Sequence, residues 1–321
     1  MERHLENKPE LLVLIGPTAV GKTKLSIALA RAHGCEIISG DSMQVYRGMD
    51  IGTAKITPEE QQGVPHHLID ILNPDEPFSA ADFQERAGQA IRDIRSRNRL
   101  PFVVGGTGLY IESLCYQYRF SEGGADEAFR EEQMRYLQDY GPEALHDRLR
   151  EVDPPSADRL HPNDYRRVIR ALEIHHVTGA TLSEQLAGQN KESPYRLCLI
   201  GLTMDRALLY KRIEERIDEM LEKGLLREVQ GLLERGCSPD LISMQALGYK
   251  EMVGYLRGDY SYEHAVYLLK RDTRRFAKRQ LSWFRHMKDI HWVDVTDTVN
   301  FAGHLQTINA IIATKYTESE A

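Results

Sequence analysis

The chain has 321 residues, of which 41% are hydrophobic and 28% charged, and its formal net charge is −7 at pH 7. This length suits about two domains, or one with a large insertion, and the composition is that of a globular protein. No stretch approaches the roughly 18 apolar residues of a membrane span, the N-terminal segment does not resemble a signal peptide, and the 4 widely spaced cysteines predict neither disulfides nor zinc. We therefore expect a cytoplasmic protein with no membrane partner.

The N-terminal segment alternates short apolar runs with helical patterns. Leu11 to Ile15 predicts a buried strand, and a helix follows that ends near Gly34. CEIISGD predicts a second strand that ends at Asp41, and the segment from Gln44 to Asn73 is mostly loop-like. The first helix is expected to bury one face, formed by Leu25, Ala28, Leu29 and Ala32.

A second helix and a third strand complete this alternation. Ser79 and Asp82 resemble a capping box, and the strand LPFVVGG follows the helix. The apolar positions of the helix are Phe83, Ala87, Ile91 and Ile94. Alternating strands and helices predict a parallel sheet, whose ligands bind at the carboxyl ends of the strands.

The pattern changes in the middle of the chain. Residues 121–191 consist of charged helical stretches broken by proline, which predicts a helical insertion domain. A strand from Tyr195 returns to the sheet, and the following 90 or so residues are predicted to be helical. The catalytic core is therefore expected to comprise residues 1–120 and 192–321.

The loop after the first strand carries the clearest motif. GPTAVGKT fits the pattern G-x-x-x-x-G-K-[ST], with a strand before it and a helix after it. Successive backbone amides in such a loop bind phosphate oxygens, the lysine adds a positive charge, and the last hydroxyl suits Mg²⁺. The expected phosphate ligands are Gly16, Pro17, Thr18, Ala19, Val20, Gly21, Lys22 and Thr23, with Thr23 also the candidate Mg²⁺ ligand.

Two further features should face the same crevice. Asp41 could be a Mg²⁺ partner, a general base, or a helix cap before Met43. The third strand ends in VVGGTG without the acid that many P-loop ATPases carry, and its glycines allow a ligand to approach the backbone.

Basic residues are concentrated in three places. Arg212 and Arg216 share a helical face that could clamp a polyphosphate, although Glu215 and Asp218 could neutralise them on a solvated surface. Two other clusters could follow RNA phosphates or form solvated faces: Arg159, His161, Arg166, Arg167 and Arg170 in the insertion, and Lys270, Arg271, Arg274, Arg275, Lys278 and Arg279 near the C-terminus. The aromatic residues near the second cluster, Phe276, Trp283 and Phe284, are expected to be core residues more often than platforms for bases.

Together these segments closely resemble the tRNA dimethylallyltransferases, also called tRNA isopentenyltransferases. The matching blocks span nearly the whole chain: GPTAVGKT, DSMQVYRGMDIGTAK, HHLID, GGTGLY, RRVIRALE, MQALGYKE and TRRFAKRQLSWF. The zinc-finger extension of some eukaryotic members is absent, which implies the bacterial type. The resemblance implies an α/β fold with a P-loop NTPase-like core, a helical insertion and a helical C-terminal part.

The resemblance also implies a reaction. A dimethylallyl group would pass from dimethylallyl diphosphate to N6 of the adenosine that is 3′-adjacent to the anticodon in tRNA, with Mg²⁺ as cofactor and a monomer as the acting form. Asp41 matches the general base, Thr107 lines the reaction channel, and Lys22, Thr23 and Arg216 stabilise the leaving diphosphate. The implied tRNA contacts are Asp41, Ser42, Met43, Gln44, Thr107, Arg130, Arg166, Arg167, Val168, Ile169, Arg170, Gln245 and Gly248.

Three other functions compete with this interpretation. A small-molecule P-loop kinase would explain the loop and Arg216, but not the basic segments. An adenylate isopentenyltransferase would use the same chemistry on a free nucleotide, and the tRNA-type blocks of the second half argue against it. A non-catalytic RNA-binding switch would leave Asp41 without a task.

Overall fold

The computed structural model describes residues 8–120, 126–189 and 192–317. The chain forms two compact units: Met1–Tyr116 with Ser193–Ala321, and Gln117–Glu192. The boundaries drawn from the sequence are close to these, and their end residues 121 and 191 lie outside the described residues. Within the described part of the chain, no helix combines the length and apolar character that a membrane span needs.

The first unit is built on a six-stranded parallel sheet. Its order is β3-β2-β4-β1-β5-β6, and the buried strand β1 lies near the centre. The strands are β1 (Glu10–Ile15), β2 (Cys35–Gly40), β3 (His66–His67), β4 (Leu100–Gly105), β5 (Arg196–Thr203) and β6 (Ile290–Asp294). The parallel sheet predicted from the alternating pattern is confirmed.

Helices surround this sheet and connect its strands. In the first unit they are α1 (Lys22–His33), α2 (Pro58–Gln61), α3 (Ala80–Ser96), α4 (Gly108–Tyr116), α9 (Arg206–Glu222), α10 (Leu225–Glu234), α11 (Tyr249–Leu256), α12 (Tyr262–Phe284) and α13 (Phe301–Thr317). The second unit is helical, with α5 (Glu127–Val152), α6 (Pro154–Arg159), α7 (Tyr165–Thr178) and α8 (Leu182–Ala187). Helix α5 is interrupted at Gly141, where φ is +84°.

Two short strands and one helix were not expected from the sequence. β3 and α2 lie in the segment 44–73, which the sequence presented as loop. β6 lies in a stretch predicted to be helical, and of its residues only Val293 is fully buried. An edge strand with mostly accessible side chains lacks the continuous apolar run by which the central strands were recognised.

The predicted features of α1 and α3 had different outcomes. The capping box of Ser79 and Asp82 is present at the start of α3, and the 4 predicted apolar residues of that helix are all buried. In α1, by contrast, Ala32 is exposed and Ile27 is buried, so the predicted buried face was partly wrong. The sheet covers more of α1 than a single stripe, because the helix follows the central strand β1 directly.

Candidate active site

The phosphate loop joins β1 to α1 at the carboxyl edge of the sheet. Gly21 directly precedes the first residue of α1 and has a φ of +107°. Glycine adopts such a positive φ without steric cost, and this allows the chain to turn sharply into the helix. Ala19 also lies in the left-handed region, with φ +64°. The amides of the loop and of the first helical turn are thus gathered near one point, which is the arrangement that binds anions.

Lys22 is the principal cation of this loop. Its Nζ donates to the carbonyl oxygens of Gly16 and Pro17, each at 2.8 Å. Burial and, to a smaller extent, the charge of Arg216 lower the pKa of Lys22, Asp41 acts in the opposite direction, and the net value is about 7. Among the described residues, no carboxylate forms an ion pair with this ammonium, so it is available to an added anion.

A cavity of about 600 Å³ opens beside the loop. Its walls come from the phosphate loop, from the ends of β2 and β4, and from α9 and α12. The charged and polar residues that line it are Thr18, Lys22, Thr23, Lys24, Asp41, Gln44, Thr53, Lys211, Arg212, Glu215, Arg216, Glu219, Gln280 and Thr298. The structure therefore brings the loop, Asp41 and Arg216 to one crevice, as their places after separate strands predicted.

Helix α9 directs two arginines into this cavity. Arg212 and Arg216, one turn apart, both line it. The acids that could have neutralised them are paired elsewhere: Glu215 with Lys211 at 3.7 Å, and Asp218 with a lysine of α12 at 2.6 Å. Within the described residues neither arginine has a carboxylate partner within 4.0 Å, so the polyphosphate clamp is the alternative that the contacts favour.

Burial also affects the guanidinium of Arg216. Its removal from water lowers the pKa of Arg216, while Asp41 and Glu219 act in the opposite direction. A phosphate ligand stabilises such a cation, which is partly removed from water and has no bonded carboxylate, more than it stabilises a hydrated arginine at the surface.

Asp41 immediately follows β2 and makes the contacts of a cap, one of the three roles considered for it. Its Oδ1 accepts hydrogen bonds from the amides of Met43, at 2.8 Å, and of Gln44, at 3.3 Å. This is a capping contact, although the residues it caps form a turn rather than a helix. In the described chain Oδ2 has no hydrogen-bond partner, and Asp41 lines two cavities. One oxygen fixes the side chain while the other stays free to act on a ligand.

The turn after β4 lies against Asp41. The Oγ1 of Thr107 accepts from the amide of Ser42 at 3.1 Å, and the amide of Thr107 donates to Gly40 at 3.2 Å. A Cβ on Gly105 would lie 2.3 Å from the carbonyl oxygen of Gly40, so these strand ends approach too closely for a side chain. Gly105 thus permits the close packing of β4 against β2, and it also borders the larger cavity.

A second cavity, of about 310 Å³, adjoins the first and is mainly apolar. Asp41, Arg216 and Phe276 line both. The apolar wall of the second cavity is formed by Met43, Ile213, Ile217, Met220, Ala246, Leu247 and Leu269. Ser42, Thr107, Gln245 and Gly248 line it as well, so residues from distant blocks of the sequence meet here.

Some residues of the site were missed from the sequence. Thr53 and Phe276 line both cavities, and Gln280 lines the larger one. Phe276 had been assigned to the core, and Gln280 is a buried polar residue inside a basic helix. Gln280 is four residues from Phe276, so both lie on one face of α12. This spacing was the sequence signal that could have placed the two residues in the same site.

The comparisons with known proteins agree with this architecture. The model of the IPP transferase family matches residues 44–287, which is most of the chain. The tRNA dimethylallyltransferase of Geobacillus thermodenitrificans is 53% identical over 306 residues, which cover 95% of this chain and 97% of that protein. The chain belongs to the IPP transferase family. A second relative, the tRNA dimethylallyltransferase of Bacillus licheniformis, is 54% identical and covers 97% of this chain and 98% of its own.

Solved structures of two other transferases have the same fold. The tRNA isopentenylpyrophosphate transferase of Bacillus halodurans matches with a TM-score of 0.73 and 50% identity, over 98% of this chain and 100% of that one. A eukaryotic dimethylallyltransferase acting on tRNA matches with a TM-score of 0.80 and 31% identity, over 97% of this chain and 80% of that one. The P-loop-like α/β fold of the family is therefore the fold of this chain.

In this IPP transferase the basic helix α12 is partly neutralised. Asp218 pairs with Lys270, and Glu214 pairs with Arg274. Both acids come from α9, so the basic segment taken alone in the sequence could not show that it is neutralised in this way. In α12 and the residues directly after it, the exposed lysines and arginines without an ion pair in the described chain are Lys278, Arg279, Arg285 and Lys288. Phe284 is fully buried, as predicted for a core residue, whereas Trp283 is 36% exposed.

In the second unit of this IPP transferase, the arginines named from the sequence differ in their contacts. Arg166 and Arg167 are exposed, and Arg167 pairs with Asp164 at 3.2 Å. Arg130 and Arg170 both bind the fully buried carboxylate of Glu173, at 2.8 and 2.7 Å. Their first role is thus to hold an internal ion-pair network, and only part of each side chain reaches the surface.

Val168 and Ile169 require a correction. Both were expected to contact tRNA, yet Val168 is 0% exposed and Ile169 is 5% exposed. They lie in the hydrophobic core of the second unit with Leu145, Leu149 and Leu172. Their side chains offer no surface to an RNA, because the apolar face of α7 is buried against α5.

Proposed function

We propose that this chain transfers a dimethylallyl group from dimethylallyl diphosphate to the N6 amine of the adenosine 3′-adjacent to the anticodon in tRNA. The observation that carries the proposal is the carboxylate of Asp41, whose Oδ2 has no hydrogen-bond partner among the described residues. It lies in the same cavity as Lys22 and Arg216, neither of which has a carboxylate partner in that part of the chain. The relatives named for this reaction, which match nearly the whole chain, support it.

The phosphate loop would hold the diphosphate of the donor. As the allylic C–O bond breaks, negative charge grows on the departing diphosphate oxygens. Loop amides, the ammonium of Lys22 and the guanidinium of Arg216 stabilise that charge, and they act strongly because they are partly removed from water. Since these groups are in place before the reaction, little reorganisation is required as the bond breaks.

The residues present suit a Mg²⁺ ion bound mainly through the substrate. The hydroxyl of Thr23 lines the larger cavity and has no hydrogen-bond partner among the described residues. Those residues include no group of three or more His, Cys, Asp or Glu side chains arranged to hold a metal. Mg²⁺ typically binds through one or two protein oxygens, substrate phosphates and water. When bound at Thr23, the ion would add positive charge beside the leaving diphosphate.

Asp41 would act as the general base. The N6 amine is a weak nucleophile because its lone pair is delocalised into the purine ring. The new C–N bond forms as the C–O bond breaks, the electron pair of the broken bond leaves with the diphosphate, and the amine proton passes to Oδ2 of Asp41. The two amides that bind Oδ1 keep the carboxylate oriented without occupying the oxygen that receives the proton.

The acceptor side would use the apolar cavity. A base that leaves its stack needs a pocket with apolar faces and a few polar groups at its edge. Met43 and Leu247 supply apolar surface there, and Ser42, Gln245 and Gly248 lie at its border. Gln44 lines the neighbouring cavity, where Asp41 also lies.

The helical second unit would bind the anticodon stem-loop. Arg166 and Arg167 are exposed on α7 and can reach backbone phosphates, and Arg130 and Arg170 keep part of their side chains accessible. A monomer suffices for the reaction, because a single chain provides both the cations and Asp41. The reaction is proposed to occur in the cytoplasm, where the tRNA is found.

The experiment combines purified protein, Mg²⁺, dimethylallyl diphosphate and an unmodified tRNA transcript. We expect N6-prenylated adenosine in the RNA, and we expect Asp41→Asn to lower kcat by about 10² to 10⁴ because the amide cannot take the proton. Its carbonyl oxygen can still accept from the amides of Met43 and Gln44, so the turn should remain folded. Consumption of ATP with no prenyl group in the RNA would refute the assignment, and prenylation of AMP rather than tRNA would indicate the nucleotide-directed enzyme.

Asp294 provides a matched control. It is the last residue of a strand, β6, and its Oδ1 accepts from the amide two residues later, that of Thr296, at 2.8 Å. It lines neither cavity. Asp294→Asn should therefore retain the wild-type rate, and an equal loss in both variants would show that the effect of Asp41→Asn is structural.

A further inference from the structure

Gln280 joins two walls of the larger cavity that lie far apart in the sequence. Its Oε1 accepts from the amide of Thr18 at 2.9 Å, and its Nε2 donates to the carbonyl oxygen of Gly106 at 2.9 Å. Thr18 belongs to the phosphate loop after β1, and Gly106 to the turn after β4. The side chain of Gln280 is almost fully buried, with 6% of the residue exposed.

The hydrogen bond between Thr18 and Gln280 changes which backbone amides of the phosphate loop can bind an anion. A loop of this type binds anions through successive amides that point to one place. The amide of Thr18 donates to Gln280 and is therefore not available to a phosphate oxygen, although Thr18 was expected among the phosphate ligands. Of the remaining amides, that of Val20 donates to the carbonyl oxygen of Pro17 at 3.4 Å, and those of Ala19, Gly21, Lys22 and Thr23 are left to bind the anion.

The close packing around Gln280 keeps its side chain between the phosphate loop and the Gly106 turn. A Cβ on Gly106 would lie 2.3 Å from Nε2 of Gln280, so the turn and α12 are in direct contact. A buried amide whose donor or acceptor loses its partner costs the desolvation of that group. Because both ends of Gln280 are bonded, α12 holds the loop and the turn at a defined separation, and Phe276, one turn earlier, lines the cavity beside them.

We propose that Gln280 is a positioning residue for the diphosphate end of the donor. It holds the phosphate loop against the Gly106 turn and reserves the amide of Thr18 for this link, so that the later amides of the loop face the phosphates. The inference rests on the proposed function, since it specifies how that site binds its donor.

The test compares Q280L and Q280E in steady-state prenyl transfer. Q280L removes both hydrogen bonds, and we expect the KM for dimethylallyl diphosphate to rise at least about tenfold while the KM for tRNA stays within about twofold of wild type. Q280E keeps the shape but, when ionised, presents a second acceptor to the carbonyl oxygen of Gly106. It should therefore be as impaired as Q280L at about pH 8.

Protonation should restore the Q280E variant. A neutral carboxylic acid has one donor and one acceptor, as the glutamine amide does, and burial raises the pKa of a carboxyl group. Relative to wild type at the same pH, the donor KM of Q280E should return toward normal between about pH 8 and pH 6, while that of Q280L should not. Normalising to wild type removes the pH dependence that the other charged groups lining the same cavity contribute to both proteins.

The control variant is Q133L. Gln133 is also buried, at 3% exposure, and accepts a hydrogen bond from Arg148, but it belongs to the second unit. Its donor KM should equal that of wild type. An unchanged donor KM in Q280L, a parallel rise in the KM for tRNA, or no pH-dependent recovery of Q280E would overturn the proposal.

A binding measurement separates this inference from the proposed function. Calorimetry with inorganic pyrophosphate and Mg²⁺ requires no prenyl transfer, and Q280L should bind pyrophosphate at least about tenfold more weakly than wild type. Equal affinities would overturn the role of Gln280. A wild-type protein that binds pyrophosphate but prenylates no RNA would instead refute the proposed reaction.

Discussion

Replacing Glu228 should loosen a loop that borders both cavities. The carboxylate of this α10 residue accepts from three successive amides, those of Asp50, Ile51 and Gly52, at 2.9, 2.8 and 3.1 Å. It also accepts from the hydroxyl of the fully buried Tyr249 at 2.6 Å. The next residue of the loop, Thr53, lines both cavities, so this one carboxylate stabilises part of the candidate site.

The size of the effect follows from the burial of the donors. A hydrogen bond to a charged group contributes about 1.5 to 3 kcal/mol, and a buried donor without a partner costs a similar amount. In Glu228→Ala the exposed amide of Asp50 can bind water, whereas the hydroxyl of Tyr249 and the amides of Ile51 and Gly52 lie in part-buried contacts. The free energy of unfolding should therefore fall by about 3 to 5 kcal/mol, or roughly 6 to 10 °C in Tm.

Thermal unfolding followed by circular dichroism measures this loss. The control is Glu234→Ala, at an exposed position of the same helix, for which we expect a change of about 0.5 kcal/mol or less. Glu228→Gln should fall between the two, because its amide group presents hydrogens to the loop amides. A loss of less than about 1 kcal/mol in Glu228→Ala would refute the reasoning, since it would mean that water replaces the carboxylate at all of its donors.

Three other predictions follow from the contacts of the two units. The pKa of Lys22 is about 7 in the folded protein and 10.5 in the unfolded chain, so the unfolded chain binds more protons between these pH values. The free energy of unfolding of wild type should therefore rise relative to that of Lys22→Met as pH increases from 7 to 10.5. Denaturant unfolding measures this difference, and a difference that does not change with pH would contradict the prediction. Arg216→Ala should raise the donor KM about tenfold or more with little change in the KM for tRNA, and steady-state kinetics in which both rise together would argue against the clamp. Glu173→Gln should destabilise the second unit by about 3 kcal/mol, because it leaves two arginines beside a buried neutral group. Amide hydrogen exchange in α7 should become faster, and unchanged exchange would contradict the prediction.

The sequence was most informative where a structural signal is local. The capping box of α3 involves residues three apart, and the phosphate loop lies within eight consecutive residues between a strand and a helix. Both features are encoded by neighbours along the chain, so no knowledge of distant segments was needed to recognise them. The parallel order of the buried strands also followed, because a strand covered on both faces appears as a short continuous apolar run.

The sequence was misleading where exposure depends on distant segments. β6 was predicted to be helical because an edge strand keeps several side chains accessible. Val168 and Ile169 stand between arginines in the sequence, yet they are buried in the second unit because they lie on the face of α7 that packs on α5. The charge of α12 was overestimated because its neutralising acids belong to α9.

The sequence by itself determined the four buried strands β1, β2, β4 and β5, the phosphate loop and, through its blocks, the family of this protein. Only the tertiary structure decided which charges in the cavity lack an ion-pair partner among the described residues. It also decided that Oδ1 of Asp41 accepts from the amides of a turn, while Oδ2 has no hydrogen-bond partner in that part of the chain. It also decided that Gln280 joins the phosphate loop to the Gly106 turn. Local signals depend on a few neighbouring residues, whereas hydrogen-bond partners and burial depend on side chains that folding brings together from more than a hundred residues away.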